Sequence, residues 1–422
     1  MTRTLVPRDV SEEVIESLQV GDHLNNSHST RAGLLGFVAL IIGCLRLTRR
    51  RLTIDSDLIL VVANPVAHGE RFSGEIASVL RRRRRAQVVT DRAVAAESLA
   101  VDVDFPGLGL RALSRHATVR AVWFALRCRA RTPRAALARI DGALAWREFL
   151  FLAQASRYEL AFRALSKSTE SLVALTDFDR AAYSHPLIWV ANQFTQRTAT
   201  FFHGSPSRKN YLPVVAKFAL AWGEAQRDWL ASESPTTSTH IVGRIDLVRR
   251  MTDSTPPRDL LICHSAETLD ANEENSLRKI LEAATSMGLR TTLRVHPSTP
   301  PESLQGAWRR LATSVDLVSR GTDSLSTVAG PSAVVVVVGS SSLVDALLAG
   351  SRGAVVASPS RELPCDVQFV RLTQPPDLVD YLLAPTATKS AEFDQLSASI
   401  VANTGDDSRE ALDTFVQRFT KR

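Results

Sequence analysis

The chain has 422 residues, 45% of them hydrophobic and 23% charged, with a formal net charge of +7. This composition excludes collagen, coiled coil, wholesale disorder and a polytopic membrane protein. At about 150 residues per domain the length gives two or three domains, each able to bury a core.

Residues 1–30 are polar, without pattern, and show no secretory signal. Residues 33–47 (GLLGFVALIIGCLRL) are apolar all round, and Arg49, Arg50 and Arg51 follow. A bilayer span needs about 20 apolar residues, so a true span is disfavoured. Two readings stay open: a buried helix leading into the first domain, or a helix on an anionic membrane face pinned by the arginines. A strand-then-helix rhythm starts at residue 57. DLILVVANPV (57–66) reads as a buried strand, the stretch to Arg83 as loop and helix, and QVVTD (87–91) as the next strand. Residues 100–133 resist placement, and 135–166 carry helical periodicity. SLVALTD (171–177) is a strand, HPLIWVANQFTQR (185–197) a helix, and TATFFHG (198–204) a strand. A loop, 205–213, leads to short strands at FALAWG (218–223), HIVGR (240–244) and DLLICHS (259–265). A helix stopping at Gly288 comes next, then a strand ending at Arg294-Val295-His296-Pro297-Ser298, then a helix over 301–314. AVVVVVGSSSLVDALLAG (333–350) is strand, tight turn and helix, and GAVVAS (353–358) another strand. Two helices close the chain from about residue 389. Alternation of this kind implies parallel βαβ units with right-handed crossovers.

Three motifs carry chemistry. Five valines, Val334–Val338, fit a strand buried on both faces, and Gly339 allows a turn into Ser340, Ser341 and Ser342. Backbone N–H groups at a helix start attract anions, so this turn is a candidate phosphate site. Plain N-capping by serine is the alternative. Asp345, inside that helix, stands where a carboxylate could reach a ribose hydroxyl. Arg294 and His296 close another strand, and Pro297 keeps His296 out of helix, so the imidazole can meet a phosphate. A loop histidine satisfied by backbone is the alternative there. Finally, His203-Gly204 ends a strand at the junction of the two halves: His203 is a candidate base, and Gly204 permits close approach of a ligand. Asp177 and Asp179 close the preceding strand, as alternative bases or as caps of the following helix. His68, on the first strand's exit loop, is a candidate acceptor contact; His185 and His264 are weaker candidates.

Taken together, His203-Gly204, Tyr211-Leu212-Pro213, Trp222-Gly223, Val242-Gly243, His296-Pro297 and Ser340-Ser341-Ser342 make an ordered set over about 171–357. In it the chain resembles GT-B-type bacterial surface-polysaccharide transferases. These include the CMP-sugar (sialyl- and Kdo-) transferases with their HP and SS motifs, and the CDP-glycerol glycerophosphotransferases with an HG motif. The resemblance implies that His296 and the serines hold nucleotide phosphates and that His203 is catalytic. After the HG motif, Ser207-Arg208-Lys209-Asn210 departs from the glycerophosphotransferase pattern.

Several signals carry less. Asp102-Val103-Asp104 spells a DxD metal motif but reads as surface loop. Gly69 and Gly74 do not make a GxGxxG, so no dinucleotide cofactor is expected. The run Arg81–Arg85 reads as a solvated helix end, with anionic lipid as the functional alternative. No nucleic-acid module is present in the sequence. Cys44, Cys128, Cys263 and Cys365 show no CxxC pair, which fits a reducing compartment and predicts no zinc site.

The expected architecture is α/β, with two Rossmann-like domains facing a central cleft, as in GT-B enzymes. The expected division is an extension over 1–56, an acceptor-side domain over 57–213, a nucleotide-sugar domain over 214–388 and helices over 389–422. The expected function is metal-independent glycosyl transfer from a nucleotide-activated donor, CMP- or CDP-linked before UDP-linked, to a lipid-linked or polymeric surface glycan. No cofactor is expected, and the expected location is the cytoplasm or the inner membrane face. A non-catalytic glycan- or sugar-nucleotide-binding subunit of the same fold is the alternative, as is a sugar-nucleotide epimerase.

Overall fold

The computed structural model of the chain describes residues 58–62, 72–83, 86–90, 103–104, 173–179, 184–195, 197–251, 256–265, 267–296, 299–321, 325–374, 377–383 and 387–420. The apolar run at 33–47, His68, Asp102, the helical stretch at 135–166, Pro297 and Ser298 lie outside the described residues.

Short apolar runs build two parallel sheets, as the alternating pattern requires. The first takes β1 (Leu58–Val62), β2 (Ala86–Thr90), β3 (Val103–Asp104), β4 (Val173–Thr176), β5 (Thr198–Phe201), β6 (Phe218–Ala221) and β7 (Ser238–Ile241). Their order is β3-β2-β1-β4-β5-β6-β7. The second takes β8 (Asp259–Cys263), β9 (Arg290–Val295), β10 (Leu317–Arg320), β11 (Ala333–Val337) and β12 (Arg352–Val355), in the order β10-β9-β8-β11-β12. Strands β4, β5 and β11 are buried at every position, as strands covered by helices on both faces must be. Both sheets are thus Rossmann-like.

The strand order fixes where a ligand crevice can open. In the first sheet β1 pairs with β2 on one side and β4 on the other. In the second, β8 pairs with β9 and with β11. The strand order reverses at those two points, and crevices form there, at the strands' carboxyl ends.

Helices α1 (Gly74–Arg83), α2 (Ser184–Phe194), α3 (Glu224–Glu233), α4 (Ala271–Ser286), α5 (Ser342–Leu348) and α6 (Cys365–Thr373) fall within the two halves. Helix α4 opens on a reciprocal capping box: the Asp270 carboxylate accepts from the Glu273 N–H at 2.9 Å, and Glu273 accepts from the Asp270 N–H at 3.0 Å. The helix expected over 301–314 is broken instead. A 3₁₀ turn at Pro301–Ser303 is followed by extended backbone at Leu304 and Gln305, and helix resumes at Gly306–Ala312. Strand β10 escapes the sequence reading because it is short, half polar and not fully buried at any residue.

The two closing helices are α7 (Ala387–Ile400) and α8 (Gly405–Thr420). They serve different sheets. Phe393 of α7 joins the apolar cluster around β11, whereas Leu412, Phe415 and Val416 of α8 join the cluster under the first sheet. Phe415 meets Phe218 and His240 edge-on, and Arg409 pairs with Glu75 of α1 at 2.8 Å. The chain therefore crosses back over the junction at residues 401–404. Two glycines make room for that crossing. A Cβ on Gly223 would lie 2.4 Å from the Ile400 carbonyl, and one on Gly243 2.0 Å from the Asn403 carbonyl.

Candidate active site

The carboxyl ends of the two sheets meet, and named contacts show where. Pro206, in the loop after β5, accepts a 2.6 Å hydrogen bond from the Cys365 N–H at the start of α6. The Asp366 N–H donates to Ser205 Oγ at 3.0 Å. Arg244, just past β7, reaches Asp345 of α5 at 3.4 Å. An apolar cluster runs unbroken from Phe202, Tyr211 and Trp222 into the valines of β11.

On the first sheet's side, His203 stands two residues past the end of β5. Its Nδ1–H donates to the Asp177 carbonyl at 3.0 Å. A carbonyl can only accept, so that bond fixes the tautomer and leaves Nε2 as the basic nitrogen. Phe178 packs edge-on to the ring with centroids 5.2 Å apart. The Tyr211 hydroxyl accepts from the Gly204 N–H at 3.2 Å and lies 3.4 and 3.5 Å from the two ring nitrogens. Burial, aided by the charge of Arg244, holds the ring below the ordinary histidine pKa against the pull of the Asp177 carbonyl. His203 is consequently neutral at pH 7, the form a general base needs.

The two aspartates differ. Asp177 is buried at the reversal point between β1 and β4, and its carboxylate accepts from Ser73 Oγ at 3.0 Å. Asp179 is also buried, and its Oδ2 accepts from the N–H groups of Val215 at 2.7 Å and Ala216 at 2.9 Å. That carboxylate ties down the loop entering β6. Gly204 leaves room for a methyl group: a Cβ there would meet only the Tyr211 hydroxyl, at 3.5 Å.

On the second sheet's side, Cys263 pairs with Val337 and with Arg294, so β8, β9 and β11 end level. The half-buried serine turn follows β11. Ser340 and Ser342 hydroxyls are 2.7 Å apart, and the Ser342 N–H donates to Ser340 Oγ at 3.3 Å. Ser341 occupies the N-cap position but makes no capping bond with its side chain, so its hydroxyl is not spent on the helix. Gly339 is not in the left-handed region; a Cβ would meet Leu363 and Arg361 at ordinary distances of 3.7 and 3.9 Å. Arg294 lies across Gly321, its Nε 3.3 Å from where a Cβ would stand there. His296 is exposed at the end of β9. Burial pushes the Cys263 thiol up to about 11, so it is no thiolate at neutral pH.

Arg244 escapes the sequence reading and links the two sides. It is buried over the Trp222 ring, 4.4 Å from the centroid, and binds Asp246 with two nitrogens at 2.8 and 3.0 Å. Burial opposes its charge, but Asp246, Asp345 and Asp366 outweigh that and hold the guanidinium protonated. Asp345 therefore faces Arg244 in this structure. An arginine at a strand exit two residues before an aspartate was the only signal of this role. Among the described residues no three His, Cys, Asp or Glu side chains gather as a metal cage would.

No protein-family model matches the chain, and no curated protein matches it. Among solved structures it is similar to a UDP-N-acetylglucosamine 2-epimerase, at 12% identity over 88% of this chain and 97% of that one, with a TM-score of 0.49. It is similar to α,α-trehalose 6-phosphate synthase from Burkholderia multivorans at 11% identity, over 86% and 98% of the two chains, with a TM-score of 0.47. A glycotransferase of kitacinnamycin matches at 14% identity over 86% and 98%, with a TM-score of 0.47. At such identities and scores the likeness carries no argument about activity.

Proposed function

We propose that the chain is a glycosyltransferase that uses a nucleotide-activated donor, CMP- or CDP-linked before UDP-linked, to extend a bacterial cell-surface or capsular glycan. The observation that carries the reading is the meeting of two parallel sheets at their carboxyl ends, where Arg244 bears on His203 of the first and pairs with Asp345 of the second. Ligands of open α/β sheets bind at such ends. In this reading an acceptor hydroxyl attacks the donor's sugar carbon, the bond to the leaving phosphate breaks, and His203 takes the hydroxyl proton. Asp177 is the second candidate base; Asp179, held by two amides, has a positioning part. Arg294, His296, Gly339 and the hydroxyls of Ser340, Ser341 and Ser342 receive the charge that grows on the departing phosphate. The acceptor is a lipid-linked or polymeric glycan, with His68 and Gly204 on its side.

Among the described residues no helix is long and apolar enough to cross a membrane. Residues 33–51 supply the apolar and basic stretch for a peripheral hold on an anionic inner membrane face.

The test is donor binding beside transfer. A thermal-shift panel of CMP, CDP, UDP and GDP should single out one nucleotide, since ligand at 100 times its Kd stabilises by about 2.7 kcal/mol. His203→Ala should keep that binding and lose at least about two orders of magnitude in transfer to membrane-extracted acceptor. Tight nucleotide binding by a wild-type chain that transfers no sugar would leave a binding subunit instead.

A further inference from the structure

One buried ring nitrogen, Nδ1 of His264, has no hydrogen-bond partner among the described residues. His264 leaves the end of β8, between β9 and β11, where the strand order of the second sheet reverses. Its backbone N–H donates to the Arg294 carbonyl at 2.9 Å. Its ring stands edge-on to Trp308 with centroids 4.9 Å apart. The residue is only 7% exposed. Buried polar groups are almost always bonded, and one that is not calls for a functional reason or a partner that arrives later.

The surroundings state what kind of partner fits. On the β9 side stand two potential cations, Arg294 and His296. Beyond Cys263 lies Asp345 of α5, which Arg244 already holds. Further along the same loop, Glu267 is paired with Arg361. The carboxylates nearby are thus occupied, while the imidazole is not. Burial and the charge of His296 both hold the His264 ring below the ordinary histidine value, so it rests neutral.

We propose that His264 is an anion-binding residue of this crevice, which takes up a proton and closes onto a phosphate group of the bound nucleotide. The identity of that ligand rests on the donor reading above. A phosphate entering between β8 and β11 offers the ring the partner it lacks and offsets repulsion from His296. One proton moves from solvent to the imidazole, which becomes a double donor, and no covalent bond of the ligand changes. The sequence reading set His264 among its weaker candidates; in the structure its Nδ1 has no partner among the described residues.

The probe is inorganic pyrophosphate, added to the full chain labelled at histidine. The ring signals of His264, assigned by their loss in His264→Gln, are followed through a pH titration. With pyrophosphate the ring's midpoint should rise by about one pH unit or more, the equivalent of a tenfold preference for the charged form. Calorimetry should show pyrophosphate binding about tenfold weaker in His264→Gln. An unchanged midpoint, an unchanged affinity, or no pyrophosphate binding by the wild type overturns the proposal. A chain that binds pyrophosphate through His264 but none of CMP, CDP, UDP or GDP keeps this proposal and removes the donor reading.

Discussion

At Arg244 a single guanidinium answers to both halves of the molecule. It lies over Trp222, grips Asp246 and reaches Asp345, and its charge bears on His203. Removing one partner of a buried ion pair leaves the other charge uncompensated, at a cost of about 3–5 kcal/mol. Arg244→Met should therefore lower stability by about 3 kcal/mol in urea unfolding. It should also move His203. The arginine's charge disfavours the imidazolium, so its loss lets the ring's pKa rise toward the ordinary value. If His203 is the base, transfer is lost as pH falls through the pKa of that ring. The acid limb of the rate profile then sits below pH 6.5 in the wild type and shifts upward in Arg244→Met. A limb that stays in place would separate Arg244 from the base. None of this coupling can be read from the sequence, in which Arg244 and Asp345 are 101 positions apart. His203, by contrast, was legible there. A histidine-glycine pair at the end of an apolar strand has a definite place in a parallel α/β unit.

Among the elements, legibility followed burial. Strands β4, β5 and β11, apolar throughout, stand out as short runs, while the polar, partly exposed β10 does not. The break at Leu304 and Gln305 was hidden because the flanking residues keep a helical pattern. Trp222-Gly223 and Val242-Gly243 entered the sequence reading as motif fragments, and their physical role appears only in three dimensions. They are the seats on which the backbone between α7 and α8 crosses back to the first sheet. Gly243 also has φ of +85°, a conformation that side chains resist. Gly243→Ala should thus cost more than the roughly 1 kcal/mol typical of a point change, because strain adds to a backbone clash. Unfolding should show the loss as a lower midpoint in denaturant. Hydrogen exchange should show it locally, with faster exchange at the Ala402 N–H, which donates to the Trp222 carbonyl, and along α8. Protection of α8 equal to wild type would mean the crossing is not seated on Gly243.

For the molecule as a whole, strand-helix alternation predicted two parallel sheets, but not how their edges join. That joint depends on groups 140 positions apart, such as Gln226 and Asp366. Asp366 opens α6 fully buried at this joint. Gln226 Nε2 donates to its Oδ2 at 2.8 Å, while Oδ1 has no partner among the described residues. Burial pushes its carboxyl up to about 6, from 3.8, against the pull of Gln226, Ser205 and Arg244. The folded value exceeds the unfolded one, so folding favours the protonated acid. The stabilisation from protonation is complete below pH 3.8 and fades as pH rises through about 6. A shift of about 2 units corresponds to about 3 kcal/mol, so the ionised carboxylate strains the joint by that order at neutral pH. Asp366→Asn carries no charge at any pH and keeps an oxygen for Gln226. Its stability relative to wild type should be greatest above pH 7 and shrink as pH falls toward 4. Other carboxylates pull the opposite way: Arg310 and Arg278 hold Glu274 at about 2, which removes stability in acid from both proteins alike. The informative quantity is therefore the difference between the two urea midpoints, measured across pH 4–8. A constant difference over that range would show that Asp366 does not titrate within the joint.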